Sequence, residues 1–110
     1  MAAEHAALAR PLHQLGLTAS QGLDPTITGL AVDSRQVKDG FLFAALPGTQ
    51  VHGATFIQYA LRMGASAILT DAMGARLAAS ELAESDAAVV IAEDPRQTLA
   101  YTAALWFAEQ

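Results

Sequence analysis

Apolar residues along this chain come in short blocks separated by polar punctuation, and the period of the pattern changes from block to block. Residues 27–32 (ITGLAV), 41–46 (FLFAAL), 67–70 (AILT) and 87–92 (AAVVIA) are brief apolar runs of strand length. The run at 41–46 reads as a strand buried on both faces. Between the first two runs, RQVKDG reads as a turn punctuated by Asp39-Gly40. Thr55 followed by Gln58 has capping-box spacing, and Phe56, Ile57, Ala60 and Leu61 form a stripe at helical period that Gly64 would end. Residues 72–82 predict an Ala-rich helix. Asp94, Pro95 and Gln97 predict the start of a last helix, with Leu99, Ala103, Trp106 and Phe107 as its apolar face. Residues 1–22 give a weaker helical signal from Leu8, Leu12 and Leu15. Pro11 either interrupts it or opens a second short piece.

Strands alternating with helices predict an α/β fold: a small, largely parallel layered sheet flanked by helices, in one domain covering residues 1–110. One feature of the pattern resists this. The turn from Arg35 to Gly40 is shorter than the dozen or so residues expected of a parallel crossover. A simple hairpin there would carry Ser34 and Thr49 to opposite ends of the sheet.

Composition narrows the class. Hydrophobic residues make up 53% and charged residues 15%, which excludes a disordered chain. Six Lys and Arg against 11 Asp and Glu leave a net charge of -5, unsuited to nucleic acid. Cysteine is absent, so neither disulfides nor thiolate metal sites are available. The longest apolar runs are too short to span a bilayer, and Glu4 and His5 stand where a secretory signal would be basic. No membrane partner and a cytoplasmic location are therefore expected.

The usual phosphate-handling motifs are missing. Lys38, the only lysine, follows Val37 in no G-x-x-x-x-G-K-[ST] loop, and there is no G-x-G-x-x-G. His5, His13 and His52 are scattered and read as surface residues, so no metal site is expected. Ser34 lacks a nucleophile motif, and Asp33 reads as a strand-end acceptor rather than a general base. Asp24, Asp71, Glu81, Glu84 and Glu109 read as solvated charge. Ser34 and Arg35 remain, at a strand exit where a hydroxyl and a guanidinium can donate to diphosphate oxygens. On spacing alone, a surface ion pair of Arg35 with Asp33 or Asp39 is slightly favoured over that role. The segment PGTQVHG then leads into a helix N-terminus, where free N–H groups favour anions. Thr49 and Gln50 add side-chain donors and acceptors.

These residues carry a resemblance. GLAVDSRQVKDGFLFAALPGTQVHGATFIQYALRMGASAIL closely resembles the N-terminal domain of the Mur ligases, the amino-acid-adding enzymes of peptidoglycan synthesis. The shared pattern is D-S-R, a G-x-L-F-x-A strand, a glycine-bounded loop and F-I-x-x-A-x-x-x-G-A. The resemblance implies that the chain binds the UDP part of a UDP-muramoyl peptide. Val32 would flank the nucleotide, Ser34 would hydrogen-bond to it, Arg35 would support the diphosphate, and Thr49, Gln50 and Val51 would form a second wall. His52 departs from the family, which has Asp there. The pattern is most similar to members that add diaminopimelate (or lysine) to UDP-N-acetylmuramoyl-L-alanyl-D-glutamate, with the D-alanyl-D-alanine-adding members close behind. It further implies ATP and Mg²⁺ as cofactors of the full-length enzyme, none of them bound by this chain. Catalytic groups would lie in central and C-terminal domains beyond residue 110. The Trp106–Phe107 pair near the end of the chain fits a piece cut from such a three-domain ligase. The alternative is a natural C-terminal helix, and then a stand-alone, non-catalytic α/β interaction module.

Overall fold

The structure, a computed structural model, describes residues 9–108. Strands β3 (Gly29–Ala31), β4 (Phe41–Ala44), β5 (Ala67–Thr70) and β6 (Ala88–Ile91) form one sheet in the order of the chain, and every pair is parallel. Helix α1 (Ile57–Arg62) links β4 to β5, while α2 (Ala72–Leu77) and α3 (Ala79–Ala83) link β5 to β6. Helix α4 (Pro95–Phe107) follows the last strand. A separate antiparallel pair, β1 (Arg10–Pro11) with β2 (Thr26–Ile27), sits beside the sheet.

The short link between β3 and β4 is a parallel crossover and not a hairpin. Because these strands have only three and four residues, the chain has about 10 Å to return, well within the reach of residues 32–40. It does so through a 3-10 turn, Ser34–Gln36, followed by Val37, whose side chain is buried under the sheet as a helix would be. Sequential strand order with right-handed crossovers puts all three connections on one face. There Val37, Ile57, Ala60 and Ala78 pack on Ala31, Phe43, Ala45 and Ile68. The other face is covered by the N-terminal segment and α4, through Leu12, Leu15, Leu17 and Trp106 on Leu42, Ala44, Leu69 and Val90. Adjacent strand residues thus feed opposite cores, as the two-residue period requires. Burying each of these large side chains contributes about 1.5–3 kcal/mol.

Several local expectations are corrected. Residues 1–8 of the first helical signal lie outside the described residues; Arg10 and Pro11 form a strand, and only Leu12–Leu15 coils, as a 3-10 turn. The run 27–32 splits at Thr28, so Ile27 and Leu30 belong to different sheets. The helix expected over 72–82 breaks at buried Ala78 (φ -108°, ψ 23°). Asp94 does cap α4, accepting from the Gln97 N–H at 3.1 Å. On that helix Thr102 is buried and its hydroxyl donates to the Leu15 carbonyl, whereas Phe107 is exposed. Gly64 follows α1 with φ +104°, a left-handed conformation that suits a helix end.

Candidate functional site

All four parallel strands end at the same edge of the sheet, so the segments leaving β3 and β4 emerge side by side, about 4.8 Å apart at the strand level. At that edge lies a hollow of roughly 670 Å³, a size that takes a small organic ligand. Val32, Asp33, Ser34 and Arg35 line one side, and Phe56 and Tyr59 line the other.

Ser34 is the buried polar group of this hollow. It is 9% exposed, and its hydroxyl has no hydrogen-bond partner among the described residues. The hydroxyl oxygen is not itself sealed from solvent, so it opens on the hollow and is free to meet a ligand there. Arg35 is held in a fork by its neighbour: Nε and Nη2 donate to Asp33 Oδ1 and Oδ2 at 3.0 and 2.7 Å, and the Arg35 backbone N–H donates to Oδ1 at 2.9 Å. These bonds hold the Asp33 carboxyl down at about 2 and push the Arg35 guanidinium above its ordinary value. Asp33 is therefore ionised at neutral pH and acts as the acceptor expected, capping the 3-10 turn. The ion pair favoured on spacing is present, with Asp33 as the partner and not Asp39. A guanidinium has five N–H donors, and the fork leaves some of them for an anion. The Arg35 side chain is 84% exposed, so it is open to one.

The following loop is organised differently from the expectation. The 3-10 turn Gly53–Phe56 precedes α1, and His52, not Thr55, caps it. The N–H groups of Gly53, Ala54 and Thr55 are all taken internally, by Leu46 O, His52 Nδ1 and His52 O. They cannot serve as the anion site read from the sequence. Thr49, Gln50 and Val51 are exposed on the loop that leaves β4 and are not part of the hollow's lining. The structure thus brings Val32, Ser34 and Arg35 together and leaves the second trio on the neighbouring segment. Phe56 and Tyr59 are the residues sequence reasoning missed. Phe56 had been placed in the core stripe, yet Ile57 and Ala60 fill the core while Phe56 and Tyr59, three apart on the opposite flank, are each 44% exposed. Two aromatics at that spacing off the core stripe were the available signal.

His52 and Asp71, both read as surface residues, are instead largely buried partners. The His52 Nε2 lies 2.8 Å from Asp71 Oδ1, with side chains 11% and 21% exposed. Burial alone would raise the Asp71 carboxyl, but the Gly74 N–H and the His52 ring hold it below the usual aspartate value. Asp24 is likewise not simply solvated: the His13 ring and backbone N–H hold its carboxyl low. Among the described residues no group of three His, Asp or Glu side chains could hold a metal ion, and no helix is long and apolar enough to cross a membrane.

Comparison with known proteins places this geometry. Residues 26–106 match the family model described as Mur ligase family, catalytic domain. The UDP-N-acetylmuramoyl-L-alanyl-D-glutamate–2,6-diaminopimelate ligase of Streptomyces coelicolor is 42% identical over 97 residues, covering 88% of this chain and 18% of that protein. The ligase of the same name from Caulobacter vibrioides is 42% identical over 87 residues, 79% of this chain and 16% of the relative. The chain therefore spans about a fifth of the length of the curated relatives it matches. Among solved structures, MurF from Acinetobacter baumannii superposes with a TM-score of 0.65 over 88% of this chain and 21% of its own, at 20% identity, a likeness of fold. MurF from Thermotoga maritima in complex with ADP gives 0.52 at 31% identity over 67% of this chain and 15% of its own. From a four-stranded parallel sheet, a D-S-R turn at its edge and a match over most of its length, the chain belongs to the Mur ligase family.

Proposed function

We propose that this chain binds the uridine diphosphate end of UDP-N-acetylmuramoyl-L-alanyl-D-glutamate. It does so as the N-terminal domain of a cytoplasmic, ATP-dependent ligase that adds diaminopimelate, or lysine, in peptidoglycan synthesis. The observation that carries this reading is the Ser34 hydroxyl, without a hydrogen-bond partner among the described residues and open to a hollow with a forked arginine on one side and two aromatics on the other. That combination suits a ligand with one planar apolar part and one anionic part. Ser34 donates to the nucleotide, and the remaining Arg35 donors meet the diphosphate with a charge-assisted bond. Phe56 and Tyr59, with Val32, offer apolar surface to the base, and Thr49, Gln50 and Val51 close over from the next loop. The curated relatives near 40% identity carry the diaminopimelate name, which favours that reading over the D-alanyl-D-alanine-adding one.

ATP and Mg²⁺ belong to the rest of such a ligase. The residues of this chain do not fit them: it has no P-loop sequence and, among the described residues, no cluster to hold a metal ion. What this chain contributes is affinity and orientation. Isothermal calorimetry with UDP-N-acetylmuramoyl-L-alanyl-D-glutamate tests the assignment. Ser34→Ala should weaken binding by roughly tenfold, the scale of one hydrogen bond to a charged group. Unchanged affinity in a folded Ser34→Ala variant would remove the residue from the site.

A further inference from the structure

His52 sits where the return limb of the 47–52 loop meets the end of β5. Its ring is engaged at both nitrogens. The Ala54 N–H donates to Nδ1 at 2.9 Å, so Nδ1 is an acceptor and the ring proton is on Nε2. Nε2–H then donates to Asp71 Oδ1 at 2.8 Å. That carboxylate oxygen is itself fixed, because it also accepts from the Gly74 N–H at 2.8 Å and caps α2. Gly74 makes room for the ring: a Cβ there would stand 2.7 Å from His52 Cε1. Among the described residues the loop has two other hydrogen-bond ties, Gly53 N–H to Leu46 O at 2.7 Å and Arg96 Nη2 to Pro47 O at 2.9 Å. Among the described residues only the His52 side chain hydrogen-bonds it to the β5–α2 corner. An aspartate at this position could cap the turn, but it could not donate to Asp71 and would set two carboxylates face to face.

We infer that His52 and Asp71 are a positioning pair, in which the Nε2–H imidazole anchors the 47–52 loop to the β5–α2 corner and so holds Thr49, Gln50 and Val51 where a ligand in the hollow can meet them. Its ligand arm rests on the nucleotide reading; its structural arm does not. Three readouts on this chain separate them: the His52 ring nitrogen shifts, backbone relaxation of residues 49–51, and affinity for UDP. Wild type should show the Nε2–H tautomer. His52→Asn can still accept from the Ala54 N–H but is too short to reach Asp71. It should raise the mobility of residues 49–51 and lower UDP affinity roughly three- to tenfold. Asp71→Asn keeps both acceptor bonds, so it should preserve the tautomer, the loop order and affinity within about twofold. If His52→Asn does not fold, Asp71→Ser keeps a helix cap yet cannot reach the ring, and tests the same link. An Nδ1–H or mixed tautomer in wild type overturns the inference. So does a folded His52→Asn or Asp71→Ser chain with loop order and affinity unchanged. Failure of wild type to bind UDP would instead sink the nucleotide reading, while tautomer and relaxation still decide the pair.

Discussion

Gly74→Ala is a substitution for which general helix preference and this structure give opposite signs. Gly74 lies inside α2 with ordinary helical backbone, where alanine is normally favoured by about 1 kcal/mol. Here an added Cβ would overlap Thr70 Oγ1 and stand 3.1 Å from Thr70 Cβ and 2.7 Å from His52 Cε1. Thr70 is fully buried, and its hydroxyl donates to the Ala45 carbonyl at 2.8 Å. Rotating Thr70 away breaks that bond, and tilting His52 breaks the link to Asp71. Either relief costs about 1 kcal/mol for the bond, on top of about 1–3 kcal/mol for overpacking. Net destabilisation of about 1–3 kcal/mol should remain after the propensity gain. Urea unfolding followed by the fluorescence of Trp106, the only tryptophan, measures it, with Ala79→Gly at an exposed position of α3 as a comparison in which no packing is disturbed. A Gly74→Ala chain as stable as wild type, with native amide shifts at His52 and Thr70, would refute the packing described.

Other outcomes follow from the same structure. Leu69→Ala, at a fully buried position between β5 and the N-terminal segment, should cost about 2–5 kcal/mol in the same urea assay. The Asp33 carboxyl is depressed to about 2 in the folded chain, so the stability it contributes is present above its ordinary value of 3.8 and is lost as pH falls toward 2. Asp33→Asn should therefore flatten the acid limb of a stability–pH profile, and an unchanged limb would show that the fork does not persist in solution. Tyr59→Ala and Phe56→Ala should each weaken UDP binding by roughly three- to tenfold through lost stacking and apolar surface, while leaving the unfolding free energy within about 1 kcal/mol of wild type because both side chains are half exposed.

Strands β4, β5 and β6 were legible because runs such as FLFA and AVVI are apolar, short and bounded by turn residues, whereas β1 carried no such run and 27–32 read as one strand rather than two. Strand direction was less legible. The β3–β4 link looked too short for a crossover only because crossovers are usually helical, and Val37 fills the place of a helix with one buried side chain. Ser34 and Arg35 could be named from the D-S-R turn, since a strand exit is where sheets present polar groups. Phe56 was absorbed into a helical stripe because Phe56, Ile57 and Ala60 fit the period equally well. Only packing shows that Ile57 and Ala60 face the sheet. His52 and Asp71 had no pattern at all to mark them. They stand in different loops, 19 positions apart, and only the parallel register of β4 and β5 brings those loops together.

The central claim is that the D-S-R turn and the adjoining loop form one ligand site at the edge of the sheet. Titrating ¹⁵N-labelled chain with UDP-N-acetylmuramoyl-L-alanyl-D-glutamate and following the backbone amides tests it most directly. Saturable shifts should cluster on Val32–Arg35, Thr49–Val51, Phe56 and Tyr59. Saturable shifts confined to the α4 face, or none at a concentration that saturates an intact ligase of this family, would contradict it.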